Sequence, residues 1–351
     1  MNFAKNKITV SVTDAIAERF GLESASVTFN TALSDADSGI AFMISQLSVL
    51  EPKLYETPYT KVFFENLVPI DTSIAEYAET VTYRSYDGVT MGKFIGASAK
   101  DLPSVAAQAE IHDVPLGYAG NSVQYSRDEM RKAIAMNMPV DSTQMKLAYR
   151  GAKEHQQKVV FFGDEKRKMH GLFNHPNVTK TNSSVDWNTA TAQEIVDDIN
   201  GFISSIWKDS NQYFMPNTLL LDTARYELIA TKPYGVSTNG TQIGFTTVLD
   251  FIKQKNIAKI ASGIDLDIRP IPFLSAANLT ANGVAGNKDR MVAYEKSDEN
   301  LVAYMPIIPR FIAPQYDGLM IKVPMEYKIS GTEFRYPQCA AYCEFTTAIT
   351  Q

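Results

Sequence analysis

The longest periodic segment of this chain, residues 141–162, predicts one helix of roughly 33 Å, because an α-helix rises about 1.5 Å per residue. Apolar or small side chains recur there at alternating spacings of three and four, the heptad pattern of a helix that buries one seam. Asp141 or Ser142 can cap its start, and Gly163 can end it. The predicted seam consists of Met145, Ala148, Ala152, His155, Val159 and Phe162.

The composition of this seam favours close packing over chemistry. Ala148, Gly151 and Ala152 are small enough to let another element approach the helix closely. His155 is better explained as a packed, hydrogen-bonded histidine than as a catalytic one. A shorter helix over residues 126–138 leads into the long one, since Ser126 and Glu129 have capping-box spacing and Pro139 interrupts the pattern.

The segment that precedes these helices alternates with a period of two and predicts a long β-hairpin over residues 77–97. Val81 and Tyr83 alternate with polar neighbours, and a similar alternation resumes at Val89. Asp87-Gly88 lies between the two runs, and this dipeptide is a strong signal for a hairpin turn. An isolated two-stranded hairpin is marginally stable in water, so it must lie on its own body or on a neighbour.

Beyond residue 178 the pattern becomes that of a mixed α/β body. Thr191 and Glu194 form a capping box before a helix, and Thr218–Leu221 is a buried-strand candidate. Pro324 places its strand at a sheet edge or at a bulge. The other predicted elements are helices over 34–50, 223–231 and 246–254, strands over 264–269 and 321–329, a polar loop over 275–289 and a last stretch over 332–346.

The composition bounds the class of protein. The chain has 351 residues, 45% of them hydrophobic, enough for a sizeable core and roughly two domains. A net charge of −6 offers no basic face for specific recognition of nucleic acid. No apolar stretch suits a bilayer span, and residues 1–20 are too charged for a signal peptide. We therefore expect a protein made and kept in a cytoplasm, unless it leaves inside something larger.

The two cysteines, Cys339 and Cys343, are expected to be buried free thiols. Four strand residues span about 13 Å. A disulfide needs its two Cα atoms within about 7 Å, so the two thiols would be too far apart to form one.

No known reactive motif is present, and we predict no catalytic, cofactor-binding or metal-binding residue. His170 and His175 flank a turn and could share a metal, but no third ligand is evident, so turn chemistry is the preferred interpretation. Asp265 and Asp267 would share a strand face, where a solvated surface explains them better than acid/base work. Asp197-Asp198 is explained as the wet side of an amphipathic helix.

Five stretches carry a resemblance to a known family. They are Leu50-Glu-Pro-Lys-Leu-Tyr-Glu-Thr-Pro-Tyr59, Leu67-Val-Pro-Ile-Asp-Thr72, Glu79-Thr-Val-Thr-Tyr-Arg-Ser-Tyr-Asp87, Phe162-Gly-Asp164 and Gly171-Leu-Phe-Asn-His-Pro-Asn-Val178. Together with the order of elements, they resemble the major capsid proteins of tailed bacteriophages, in a family close to the encapsulins. The resemblance covers roughly residues 47–180 and is one of architecture, since none of these stretches is a catalytic signature.

This resemblance implies an α+β fold of the Hong Kong 97 type, with an N-terminal arm, an extended loop, a spine helix, and peripheral and axial domains. The implied division is an arm over 1–46, a connection over 47–74, the extended loop over 75–100, a peripheral domain over 101–190 with the spine helix within 126–162, an axial domain over 191–317, and returning C-terminal strands over 318–351.

The same resemblance implies a protein that assembles with copies of itself into hexamers and pentamers of an icosahedral shell around phage double-stranded DNA. Other implied partners are a portal and scaffolding or decoration proteins, with DNA contact that is loose and independent of sequence, and no membrane. The shell would be a virion capsid assembled in the host cytoplasm. Contacts between subunits are assigned to the loop residues Tyr83, Arg84, Tyr86, Asp87, Gly88, Met91, Lys93 and Phe94.

Two alternatives stay open at this point. An encapsulin-type nanocompartment shell would have the same fold and would package enzymes instead of DNA. A soluble α/β hydrolytic enzyme would use His170, His175 and nearby acids. The shell interpretations are preferred because an uncovered hairpin exposes strand edges and apolar side chains, which an isolated soluble protein avoids and a symmetric assembly covers.

Overall fold

The structure is a computed structural model that describes residues 7–10, 27–30, 62–89, 106–135, 143–235, 246–284 and 286–346. The strands of this part are β1 (Lys7–Val10), β2 (Val27–Asn30), β3 (Ile70–Asp71), β4 (Thr80–Val89), β5 (Ala106–Pro115), β6 (Gly117–Ser126), β7 (Thr179–Ser183), β8 (Thr218–Leu221), β9 (Asp267–Pro270), β10 (Arg290–Tyr294), β11 (Leu301–Tyr304), β12 (Ile307–Phe311), β13 (Gln315–Asp317), β14 (Met320–Ile329), β15 (Thr332–Phe334) and β16 (Ala340–Phe345). Its helices are α1 (Arg127–Ala135), α2 (Thr143–Phe162), α3 (Ala192–Asp209), α4 (Thr223–Thr231), α5 (Val248–Lys255), α6 (Ile257–Ser262) and α7 (Ala276–Ala281).

The long helix α2 follows the sequence prediction closely. It ends at Phe162, and Gly163 has a φ of 72°, a left-handed conformation that favours glycine. Of the predicted seam, Met145, Ala152, Val159 and Phe162 are buried and Ala148 is half-buried.

His155 differs from the rest of the predicted seam, because its side chain is exposed. It does make the expected hydrogen bond, with 2.8 Å between its Nδ1 and the Tyr327 hydroxyl. Gln156 and Gln157 are buried, although neither belongs to the predicted heptad seam. The buried face therefore turns slightly away from the heptad line, as expected for a straight helix of 3.6 residues per turn.

Helix α2 lies against a four-stranded sheet in which β14 pairs with β12 and β13 on one side and with β6 on the other. The β14–β6 pairing runs without interruption from Met320↔Ser126 to Ile329↔Gly117. Strand β14 is therefore central, so of the two alternatives predicted for Pro324 the sheet edge is wrong. From Phe311↔Met325 to Gln315↔Lys322 the paired β12–β13 segment advances four residues against three of β14, an irregularity of the kind that the bulge alternative predicts. The carbonyl of Pro324 accepts a bond from the Ile312 amide, between the ends of β12 and β13, so the missing N–H faces the gap between those two strands.

The turn after α2 is built by Asn174, as its turn chemistry predicts. Its Oδ1 accepts from the Gly171 amide at 2.8 Å, and its Nδ2 donates to the Phe162 carbonyl at 2.7 Å. A Cβ at Gly171 would lie 2.3 Å from the backbone of Phe161, so only glycine fits there. The buried Tyr342 hydroxyl donates to the Leu172 carbonyl at 2.7 Å and fixes the turn to strand β16.

A second core is built around a five-stranded sheet of order β7-β16-β10-β8-β9. Helices α3 to α6 contribute to this core, and α3 begins with the predicted capping box of Thr191 and Glu194. Strand β8 and helix α4 have the bounds that the sequence predicts. The buried guanidinium of Arg225 lies 3.6 Å from the ring centre of Phe345 and 3.1 Å from the carboxylate of Asp289.

The predicted polar loop over 275–289 is wrong in part, because residues 276–281 form helix α7. Leu279 is buried in the first core and supplies the packing that holds this short helix. Of the asparagines that favoured a loop, Asn278 lies inside this helix, Asn282 is its C-terminal cap and Asn287 lies beyond it.

The hairpin is longer than predicted, and Asp87-Gly88 is not its turn. Strand β4 continues through these residues, which pair with Gln108 and Ala107 of β5. The pairing starts at Thr80↔Pro115 and extends to Val89↔Ala106, so the register set at the root places the connection between residues 89 and 106.

Cys339 and Cys343 are buried and free, as predicted, and burial raises the pKa of Cys343 to about 11. Near the N-terminus, β1 pairs antiparallel with β2, and the predicted helix over 34–50 lies outside the described residues. Among the described residues, no helix combines the length and the apolar character that crossing a membrane requires.

Candidate assembly surface

The hairpin of β4 and β5 has two different faces, because successive side chains of a strand point to opposite sides. One face turns toward the body and carries Tyr83, His112 and Val114, which are buried or half-buried. The opposite face is open: the exposed fraction is 70% for Tyr86 and 60% for Ile111. Large apolar side chains this exposed on a protruding ribbon are typical of a surface that a partner covers.

The root of the hairpin is fixed by a small apolar cluster. Val114 and Leu116 are buried with Val302 and Tyr304 of strand β11, and the half-buried Val81 packs against them. The Leu116 amide donates to the Glu79 carbonyl at 2.9 Å and closes the base of the ribbon. The root thus belongs to the body, whereas the outer face beyond it faces solvent.

A polar contact between β4 and β15 lies next to this apolar cluster. The Tyr83 hydroxyl donates to Glu333 Oε1 on β15 at 2.9 Å, and His175 Nε2 lies 3.7 Å from Glu333 Oε2. Burial would raise the pKa of Glu333, but the His175 ring beside it and the hydrogen bond from Tyr83 outweigh burial and hold this pKa below its ordinary value. Burial beside Glu333 raises the pKa of Tyr83, so the phenol stays a donor. The pair is therefore an ionised acceptor with a neutral donor, a strong form of hydrogen bond.

The stem that precedes β4 packs Ile74 and Ala78 against this apolar cluster, and its polar contacts to the sheet are made by Glu76. Arg310 on β12 donates to both carboxylate oxygens of Glu76, at 2.8 and 2.7 Å, and to Glu326 on β14 at 2.8 Å. Lys328 Nζ donates to the Glu76 carbonyl at 3.1 Å. The hydrogen bond from Arg310 holds the pKa of the Glu76 carboxyl below its ordinary value, so the contact is ionic at neutral pH.

The loop residues predicted to contact other subunits fall into three groups. Tyr83 faces the body and anchors the root, whereas Arg84 and Tyr86 are exposed on the ribbon. Asp87 and Gly88 lie within β4 as paired strand residues. Met91, Lys93 and Phe94 lie outside the described residues.

Several residues of this surface were not predicted from the sequence. Ile111 lies on β5, which was not predicted because the hairpin turn was placed at Asp87-Gly88. Glu76, Arg310 and Glu333 are far apart in the chain, and no local pattern relates them. Apolar and polar residues alternate only over 109–112, which is too short a run to predict β5.

The other candidate sites are structural. The rings of His170 and His175 lie 5.4 Å apart, and in the described part of the chain no cluster of three or more His, Cys, Asp or Glu side chains could hold a metal ion. Asp265 pairs with Lys259 and Asp267 pairs with Arg269, each at 2.7 Å, so the two carboxylates are held by separate cations. Both aspartates are exposed, as predicted, but the shared strand face is wrong, because Asp265 lies before β9.

Asp198 is not simply solvated, as the sequence had suggested for Asp197-Asp198. It is half-buried and accepts from Trp187 Nε1 at 2.8 Å and from Ser183 Oγ at 2.9 Å. It therefore satisfies the indole of a fully buried tryptophan, as buried polar groups require. Asp197 is exposed and bonds Gln193 one helical turn earlier, which fits the prediction.

A family model described as Major capsid protein matches residues 91–345. This range is well over half of the chain, so the chain belongs to the major capsid protein family. No curated protein sequence matches it.

Solved structures agree with this family assignment. The capsid of Myoviridae phage XM1 matches with a TM-score of 0.66 and 12% identity, over 86% of this chain and 97% of that one. Mycobacterium phage Ogopogo matches with a TM-score of 0.54 and 12% identity, over 90% of this chain and 100% of that one. The holo-SrpI encapsulin complex from Synechococcus elongatus PCC 7942 matches with a TM-score of 0.51 and 13% identity, over 91% and 100%.

These matches place the fold in the Hong Kong 97 class that phage capsids and encapsulins share. The predicted fold class is therefore confirmed. Within that class the family match identifies the chain as a major capsid protein of a phage-type shell, a structural protein of the virion.

Proposed function

We propose that copies of this protein form the hexamers and pentamers of an icosahedral shell that encloses phage double-stranded DNA. The observation that carries the proposal is the ribbon of β4 and β5, which pairs only with itself within the described sheets and exposes Tyr86 and Ile111. A two-stranded ribbon of this length needs a third surface to be stable, and a second copy of the chain supplies one in a symmetric assembly.

The domain division follows from the same proposal. An arm over 1–46 and an extended loop between 75 and 116 would reach neighbouring subunits. The core around α2 would form the peripheral domain, and the core around α3 to α6 the axial domain. Strands β7 and β16 join the five-stranded sheet of the second core, so the boundary at residue 190 would cut through that sheet.

The remaining partners are those of a phage shell assembled in the host cytoplasm: a portal, scaffolding or decoration proteins, and DNA held without sequence preference. The net charge of −6 supports loose contact with DNA, because a strongly basic wall would bind the packaged duplex tightly. We assign the protein no catalytic role and no cofactor.

The experiment is expression of the full chain, followed by light scattering and electron microscopy of the purified protein. We expect closed shells of megadalton mass, and a protein that stays a small oligomer under all conditions would contradict the proposal. Ile111→Asp should strongly reduce shell formation, since it places a charge on the proposed contact. Gln124→Asp, at an exposed position of β6, is the control and should assemble normally.

The encapsulin-type shell is the second candidate, because the SrpI encapsulin structure shares the fold over 91% of this chain. Shells purified from cells that also contain the phage packaging genes separate the two candidates. Filled shells whose nucleic acid resists nuclease support the phage capsid. Shells that instead retain one co-purified enzyme and exclude nucleic acid support the nanocompartment.

A further inference from the structure

We propose that Arg310 is a positioning residue that sets the direction in which the β4–β5 ribbon leaves the body of the subunit. This inference rests on the proposed function, because the direction of the ribbon matters only if the ribbon must meet another copy. The residues that carry it are Glu76, Glu326 and Lys328, which join the stem to two strands of the sheet.

Glu76 is held through both its side chain and its backbone. One guanidinium donates to both oxygens of this carboxylate, which fixes the carboxylate in the plane of the fork. Lys328 holds the carbonyl of the same residue from the neighbouring strand, and its side chain is buried. Side chain and backbone of Glu76 are therefore held from two directions, and the stem cannot rotate about either contact alone.

Arg310 is itself held in place by a second carboxylate. Its Nε donates to Glu326, which also accepts from the Tyr118 hydroxyl on β6. The guanidinium is thus held by carboxylates on two sides while it projects from the face of the sheet opposite α2. Isolated surface ion pairs contribute little, but bidentate networks of this kind are the exception.

The Arg310–Glu76 contact is separated along the chain from the other contacts of the root. Glu76 lies four residues before β4, and the Tyr83–Glu333 hydrogen bond lies four residues into it. The apolar cluster of Val114 and Leu116 lies between the two. One polar contact lies on each side of this apolar cluster, and together they fix the direction of the ribbon. Removing either contact should allow the ribbon to rotate about the cluster.

The test measures the direction of the ribbon in unassembled subunits of the full chain. Spin labels at Ile111→Cys on the ribbon and Gln124→Cys on β6 report the distance between ribbon and body. Cys339 and Cys343 are buried and should not compete for the label. We expect one narrow distance distribution in the parent chain and the loss of that single peak in Glu76→Gln and in Arg310→Gln.

Glu76→Gln is the decisive variant, since it leaves the Arg310–Glu326 pair of the sheet in place and should not affect folding. Arg310→Lys keeps the charge but not the fork, so its distribution should be intermediate. Arg167→Gln is the matched control, an exposed arginine paired with Asp164 at 3.0 Å, and it should leave the narrow peak unchanged.

The same variants without labels are then assembled. We expect the subunit concentration at half-maximal assembly to rise about tenfold in Glu76→Gln, the factor that about 1.4 kcal/mol corresponds to. A peak that stays narrow in both Glu76→Gln and Arg310→Gln overturns the proposal, and so does a broadened peak with unchanged assembly. A parent chain that forms no shells would overturn the proposed function instead, while the label distances would still decide the role of Arg310.

Discussion

The β4–β5 ribbon and the five-stranded sheet are both β structure, but they differ in how much of their surface the chain itself buries. Every residue of β8 and β10 is buried between helices and neighbouring strands. In the ribbon, among the side chains that the structure describes, the buried ones lie at the root, and Tyr86 and Ile111 on the outer face are exposed. The sheet is completed by its own chain, whereas we propose that other copies of the chain complete the ribbon.

This difference predicts how substitutions act in the two regions. A change in the buried sheet should lower the free energy of unfolding of each subunit. A change on the outer face of the ribbon should leave the subunit within about 0.5 kcal/mol and act on assembly alone, because exposed substitutions rarely affect stability. The following experiments test that separation.

The largest effect is expected at Arg225, which is fully buried behind the five-stranded sheet. Arg225→Ala should lower the free energy of unfolding by about 3–5 kcal/mol, because it leaves the buried carboxylate of Asp289 without its cation. Urea denaturation of unassembled subunits measures this. Arg269→Ala, which removes an exposed pair with Asp267, is the control and should cost at most about 1 kcal/mol. Equal losses in both variants would mean that burial does not decide the effect.

A smaller loss is expected on the buried face of α2. Ala152 has an exposed fraction of 1%, so Ala152→Leu should destabilise the subunit by about 1–3 kcal/mol through overpacking. Leu147→Ala, on the exposed side of the same helix, should change the stability by less than about 0.5 kcal/mol. If Ala152→Leu proved neutral in the same denaturation experiment, the helix would have to pack on the sheet with a void that this side chain can fill.

The contrast between the two regions also explains what the sequence could predict. Helix α2, its stop at Gly163, the capping box of α3 and the bounds of β8 and α4 follow from local patterns, because their buried faces repeat with a fixed period. The register of the ribbon does not. Asp87-Gly88 is a strong local turn signal, but the pairing that begins at Thr80↔Pro115 overrides it.

The contacts at the root were beyond sequence reasoning for a similar reason. Glu76 and Arg310 are separated by 234 positions, and Tyr83 and Glu333 by 250. Charged residues at such distances carry no periodic signal, and many exposed charges in any chain could pair. Pro324 left two alternatives open, a sheet edge or a bulge, and the irregularity between β12 and β13 accommodates the proline within a central strand.

A gain in stability is expected at Gly201, which lies inside α3 with open space around the position that a Cβ would take. Gly201→Ala should raise the free energy of unfolding by about 0.4–1 kcal/mol, because alanine has less freedom in the unfolded chain and fits the helix. Gly171→Ala is the contrasting variant and should be strongly destabilising, since its Cβ would lie 2.3 Å from the backbone of Phe161. A loss of stability at Gly201 would contradict the open space that the structure places around this position.

The smallest effect concerns pH and the two histidines beside the cores. Partial burial lowers the pKa of both His155 and His170 below the ordinary value, and for His155 the charge of Arg167 adds to this. Between pH 7 and 5 the unfolded chain therefore binds protons that the folded chain does not, so the stability of the subunit should fall as the pH falls through this window. Urea denaturation at pH 7.5 and 5.5 measures the difference, and His155→Gln combined with His170→Gln should reduce it. A pH dependence that is unchanged in the double variant would assign it to other groups.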